Sequence, residues 1–126
     1  KLIFVEQYRK PLERSIIEIP AGKLEKGEQP EITAIRELEE ETGYTTQELT
    51  YITSFYTSPG FANELIHIYM TDQLIPLSNA TQGDEDELVN IIEMTLNEAK
   101  QAEKDKRIYD AKTMYALKYV EILRMK

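Results

Sequence analysis

The sequence predicts an α/β (α+β) fold, in which helices pack on a mixed β-sheet as a sandwich. Three observations carry this expectation. Short β-branched or alternating apolar runs are interspersed with longer segments of helical period. Several of those runs follow one another closely enough to pair as hairpins. The closing segment, 109–125, carries an apolar stripe of Met114, Leu117, Val120, Ile122 and Leu123. Such a stripe must bury against another element.

The elements follow in order. Strands are expected near 1–6 and over 15–19, where SIIEI is β-branched and bounded by Pro20. Gly22, Gly27 and Pro30 mark a loop. Pro30 suits the first turn of a helix, where its missing N–H costs nothing. That helix should run to Thr42 and stop at Gly43, with Ile32, Ile35 and Leu38 on its core face. TYITSFYTS (50–58) alternates with a period of two, as a half-buried strand does. SPGFANE (58–64) reads as a loop and LIHIYMT (65–71) as a strand. The segment 72–86 is polar and turn-rich, and runs into the acidic GDEDE. LVNIIEMT (88–95) is a further strand, 96–106 a polar amphipathic helix and 109–125 a longer one. His67, mid-strand, is read as packing and given no role.

Composition narrows the function. A chain of 126 residues, 41% hydrophobic and 30% charged, is expected to be one globular domain over 1–126. Its opening KLIFVEQ, with no initiator Met, reads as a trimmed chain. With no cysteine it has neither a disulfide framework nor a thiolate zinc site, which fits a cytoplasmic protein. No apolar run approaches the roughly 20 residues of a membrane helix, so no membrane partner is expected. A formal net charge of −8 repels a phosphate backbone, so nucleic acid is not expected as a partner either. An anionic substrate would need a cation to mediate.

The segment GKLEKGEQPEITAIRELEEETGY (22–44) supplies a place for one. At about 100° per residue, Glu37, Glu40 and Glu41 fall on one helix face, and Glu39 points away. Three carboxylates on one face suit a hard divalent cation. A solvated acidic helix is the plainer reading of that face taken alone. The wider spacing decides against it. From Gly22 the residues run Gly, five others, Glu28, seven others, Arg36-Glu37-Leu38, one other, Glu40-Glu41, one other, Gly43-Tyr44. This resembles the Nudix box, with every fixed position matched and Tyr44 a looser apolar choice. The resemblance implies a Nudix-like α/β/α sandwich that hydrolyses nucleoside diphosphates linked to another moiety, using Mg²⁺ or Mn²⁺. It implies Glu37 and Glu41 as metal ligands, Glu40 as a ligand or a group beside one, and the Ala21 carbonyl as a further ligand. Arg36 would hold a box carboxylate, and Glu28 would orient the loop and that Arg.

EQYR (6–9), IIEIPAG (16–22), SPGF (58–61) with Pro59 sixteen residues after Gly43, EDE (85–87) and the DAKTMYALKYV helix are similar to the ADP-ribose pyrophosphatase branch. The resemblance implies hydrolysis of ADP-ribose to AMP and ribose 5-phosphate, and a homodimer built through an N-terminal β region that precedes this sequence. It implies Glu85 as general base and Glu87 as a metal ligand, with the two roles exchangeable because Asp84 and Asp86 blur the register. Arg9 is expected to meet a phosphate or the terminal ribose, with a surface Arg as the alternative. Glu18 is expected on substrate hydroxyls or the adenine amino group. Gly60, Phe61 and Glu64 are expected to line the pocket, Phe61 either as a stacking surface or as a loop anchor to the core. Two alternatives stay open: a Nudix hydrolase for another nucleoside diphosphate sugar or an oxidised nucleotide, and a non-catalytic domain that senses a nucleotide. The intact set of Glu37, Glu40 and Glu41 argues against the latter.

Overall fold

The computed structural model describes residues 1–77 and 90–126. Its elements are β1 (Leu2–Arg9), β2 (Arg14–Glu18), α1 (Pro30–Thr42), β3 (Tyr44–Thr45), β4 (Thr50–Tyr56), β5 (Leu65–Met70), β6 (Ile75–Pro76), β7 (Asn90–Met94), α2 (Leu96–Lys104) and α3 (Ala111–Arg124). This is the mixed α/β class expected. The chain divides into two compact units, one of Lys1–Ile19 with Val89–Lys126 and one of Pro20–Leu88.

In the first unit β1 is the central strand of an antiparallel sheet ordered β2-β1-β7. A 3-10 turn over Lys10–Leu12 joins β1 to β2 and ends at Glu13, whose φ of 53° reverses the chain. Phe4, Ile17 and Met94 of the sheet pack with Ala99 and Ala102 of α2, Ile108 of the α2–α3 connection and Leu117 of α3 into one buried cluster. Small Ala99 and Ala102 let α2 lie close to its neighbours in that cluster. Helix α2 begins with a capping box: Thr95 Oγ1 accepts from the Glu98 N–H, and the Glu98 carboxylate accepts from the Thr95 N–H. Helix α3 begins at Asp110, whose carboxylate accepts from the Thr113 N–H. The expected stripe on α3 holds only in part. Leu117 is buried and Met114 packs on the core, but Ile122 and Leu123 are exposed. Thr113 is buried instead, because its hydroxyl accepts a hydrogen bond from the Ile19 N–H.

In the second unit α1 spans Pro30–Thr42, with Pro30 in its first turn and Gly43 at its end. Gly43 adopts φ 74° and returns its N–H to the Glu39 carbonyl. Behind it, β3 pairs with β6, and β4 pairs with β5, both antiparallel. The pairs β3 and β6 lie in segments too short and polar to show a strand period. The expected core face of α1 needs correction. Ile32 is exposed and Ile35 and Leu38 are half-buried, whereas Thr33 and Thr42 are buried. Both threonines are buried with their hydroxyls satisfied, Thr42 by the Leu38 carbonyl and Thr33 by Glu28.

Candidate active site

The loop from Pro20 to Gln29 and the helix α1 place the box residues around one guanidinium. All five N–H groups of Arg36 are engaged. Its Nε and Nη2 donate to the two oxygens of Glu28, at 2.8 Å and 3.0 Å. Nη2 also reaches the Lys23 carbonyl at 3.2 Å. Nη1 donates to Glu37 Oε1 at 2.8 Å and to Glu40 Oε2 at 3.3 Å. Glu28 receives two donors more, the Glu25 N–H and the Thr33 hydroxyl. Arg36, then Thr33 and the Glu25 N–H, hold the Glu28 carboxyl down at about 2. The same pair raises Arg36 above the usual guanidinium range. The repulsion expected among crowded carboxylates is thus offset from within the box.

Two of the box carboxylates, Glu37 and Glu41, also meet the loop at adjacent residues. Glu41 Oε2 accepts from the Ala21 N–H at 2.9 Å. The Glu37 carboxylate lies so close over Gly22 that a Cβ there would collide with it. Gly22 is therefore a close-approach glycine. Glu37, Glu40 and Glu41 share a helix face but do not share one partner. Glu37 and Glu40 accept from Arg36, and Glu41 accepts from a backbone amide. Among the described residues no group of three His, Asp or Glu side chains stands close enough to hold a metal ion. The donor chemistry still fits a hard cation: Glu37 and Glu41 both converge on the Ala21–Gly22 segment, and every donor there is an oxygen.

A family model described as the NUDIX domain matches residues 1–116. The chain belongs to the Nudix family. Among its relatives, "ADP-ribose pyrophosphatase" from Bacillus subtilis (strain 168) is 57% identical over 122 residues, covering 97% of this chain and 66% of that protein. A "Methanol dehydrogenase activator" from Bacillus methanolicus is 59% identical over 122 residues, with the same coverage of 97% and 66%. A solved structure titled "Crystal structure of ADP compounds hydrolase" superposes with a TM-score of 0.83 at 25% identity, covering 97% of this chain and 65% of that one. This Nudix chain thus spans just under two thirds of the length of these relatives.

The site residues expected outside the Nudix box are distributed as follows. Arg9 and Glu18 are brought together: Nε and Nη2 of Arg9 grip the Glu18 carboxylate at 2.7 Å and 2.9 Å. Glu18 is buried and also accepts from Lys112 Nζ at 2.7 Å. Burial alone would push the Glu18 carboxyl up, but the hydrogen bonds from Arg9 and Lys112 outweigh it and leave it lowered. Burial likewise opposes the charge on Lys112, and Asp110 with Glu18 outweighs it, leaving that ammonium raised. Glu18, expected on substrate hydroxyls or the adenine amino group, is thus ion-paired with Arg9 and Lys112. Phe61 is 98% exposed, which overturns its reading as a loop anchor. Gly60 has open space where a side chain would stand, and Glu64 is exposed. Glu85 and Glu87 lie outside the described residues.

Three residues that the sequence reading passed over take part in these networks: Thr33, Asp110 and Lys112. Asp110 had a legible signal, since Asp before a helical run is an N-cap pattern, whereas Lys112 pairs with a residue 94 positions away. Thr33 had none, because it is one of the seven residues between Glu28 and Arg36 that the box pattern leaves unspecified.

Proposed function

We propose that this Nudix chain is the catalytic part of a metal-dependent hydrolase that cleaves the pyrophosphate of ADP-ribose into AMP and ribose 5-phosphate. The observation that carries this reading is the complete Arg36-centred box in a chain 57% identical to a protein named for that activity. In it, Glu37 and Glu41, with the Ala21 carbonyl and Glu40 beside them, would hold Mg²⁺ or Mn²⁺. The ion, when bound, offsets the substrate's negative charge and polarises the phosphorus centre. Arg36, itself fixed by Glu28, holds Glu37 and Glu40 in place. Glu85 would take the proton of the attacking water and Glu87 would complete the ligand set, or the two roles would be exchanged. Arg9, clamped by Glu18, would meet a phosphate or ribose, and Gly60, Phe61 and Glu64 would border the substrate. The active assembly would be a homodimer of the longer protein.

The test is product analysis. Full-length protein incubated with ADP-ribose and Mg²⁺ should yield AMP and ribose 5-phosphate, and Glu41→Gln almost none. A folded wild type that releases no AMP would overturn the substrate, and a panel of nucleoside diphosphate sugars would follow. The 59% identity to a methanol dehydrogenase activator supports a second reading, in which the protein modulates a dehydrogenase. Assaying a methanol dehydrogenase with and without the protein separates the two.

A further inference from the structure

Thr33 is 6% exposed and stands on α1 three residues before Arg36, whose guanidinium grips Glu28. Its hydroxyl has a single proton and two acceptors in reach, Glu28 Oε1 at 2.7 Å and the Gln29 carbonyl at 3.3 Å. The shorter contact, to an ionised carboxylate, is the stronger. Glu28 Oε1 then takes three donors: Thr33 Oγ1, the Glu25 N–H and Arg36 Nη2. Glu28 Oε2 takes Arg36 Nε. A carboxylate so held has one orientation, and its two oxygens meet the Nε–Nη2 edge of Arg36. The guanidinium is planar, so fixing that edge also fixes where Nη1 points. Nη1 is the atom that meets Glu37 and Glu40.

We propose that Thr33 is a positioning residue: its hydroxyl orients Glu28, Glu28 orients Arg36, and Arg36 thereby sets the placement of Glu37 and Glu40 for cation binding. The cation step rests on the hydrolase reading above; the orientation step does not. The comparison is between Thr33→Val, which keeps the shape and loses the hydroxyl, and Thr33→Ser, which keeps the hydroxyl, in the full-length protein. The first readout needs neither metal nor substrate. It is solvent exchange of the Arg36 Nε–H by NMR, assigned through its loss in Arg36→Lys. Exchange should be slow in the wild type and Thr33→Ser, and at least about fivefold faster in Thr33→Val. The second readout is Mn²⁺ binding by calorimetry, where Thr33→Val should weaken affinity by about tenfold and Thr33→Ser by less than about twofold. Turnover should follow the same order through kcat rather than KM.

Equal Nε–H exchange in wild type and Thr33→Val would overturn the proposal, as would Thr33→Ser behaving like Thr33→Val. If Thr33→Val does not fold, Thr33→Ala against Thr33→Ser makes the same comparison. A wild type that shows the exchange pattern but binds no Mn²⁺ would overturn the hydrolase reading and the cation step while leaving the orientation step supported.

Discussion

Arg36 satisfies five acceptors with five donors, so a substitution there removes several constraints together. Lysine keeps the charge but offers no planar fork, and Arg36→Lys should lower Mn²⁺ affinity and kcat by about 10–100-fold. Gly22 makes a sharper test because nothing polar is removed. The added methyl of Gly22→Ala would land on the Glu37 carboxylate, which must then move off its place beside the Ala21–Gly22 segment. Turnover should fall by about tenfold or more. The loop is exposed, so the midpoint of thermal unfolding should stay within a few degrees of the wild type. Steady-state kinetics beside a melting curve checks both halves, and a fully active Gly22→Ala would contradict the close approach.

At the scale of elements, caps and ion networks decide local stability. Gly43 closes α1 at a positive φ, so Gly43→Ala should cost about 1 kcal/mol, read from urea unfolding. Thr95→Ala removes one half of the capping box of α2 and should cost about 1 kcal/mol in the same experiment. The network of Arg9, Glu18, Asp110 and Lys112 ties β1, β2 and the start of α3. The folded protein holds Glu18 below its ordinary 4.5. Its contribution is therefore complete above pH 4.5 and lost as pH falls through the lowered folded value. Lys112 is raised above 10.5, so its contribution is complete below that pH and lost as pH rises through the raised value. Glu18→Gln leaves Lys112 short of a counterion and should cost about 3 kcal/mol at neutral pH. The same variant should flatten the fall in stability below pH 4.5, measured as unfolding midpoints across the acid range.

At the scale of the whole chain, net charge sets the terms of substrate binding. A chain of −8 repels a pyrophosphate, so binding and turnover should both require a divalent cation. Chelation with EDTA should abolish AMP release, and added Mg²⁺ should restore it. Persistent hydrolysis in EDTA would count against the metal-dependent reading. No helix among the described residues is long and apolar enough to cross a membrane. The chain forms two compact units, with the box complete within Pro20–Leu88 and the Arg9–Glu18–Lys112 network complete within the other.

The box was legible through its resemblance to the Nudix pattern, and α1 with both of its ends through Pro30, Gly43 and the helical period between them. The roles of Gly22, Glu28 and Arg36 came from that resemblance, whereas a proline at the first turn and a glycine at the end of a helix are local signals. The class of fold and the principal strands were legible for the same reason, because period and turn residues are local signals. Partnership was not. Glu18 was read as a contact for the substrate, and its pairing with Lys112 joins residues 94 positions apart. Thr33 carried no signal of its own, and only its contact with Glu28 gives its hydroxyl a role. Ile32 looked like core and is exposed, because amphipathic spacing names a face without saying what covers it. The sequence determined which side chains share a helix or a loop; only the tertiary structure decided which donor each carboxylate faces, since that depends on contacts between segments that no local pattern encodes.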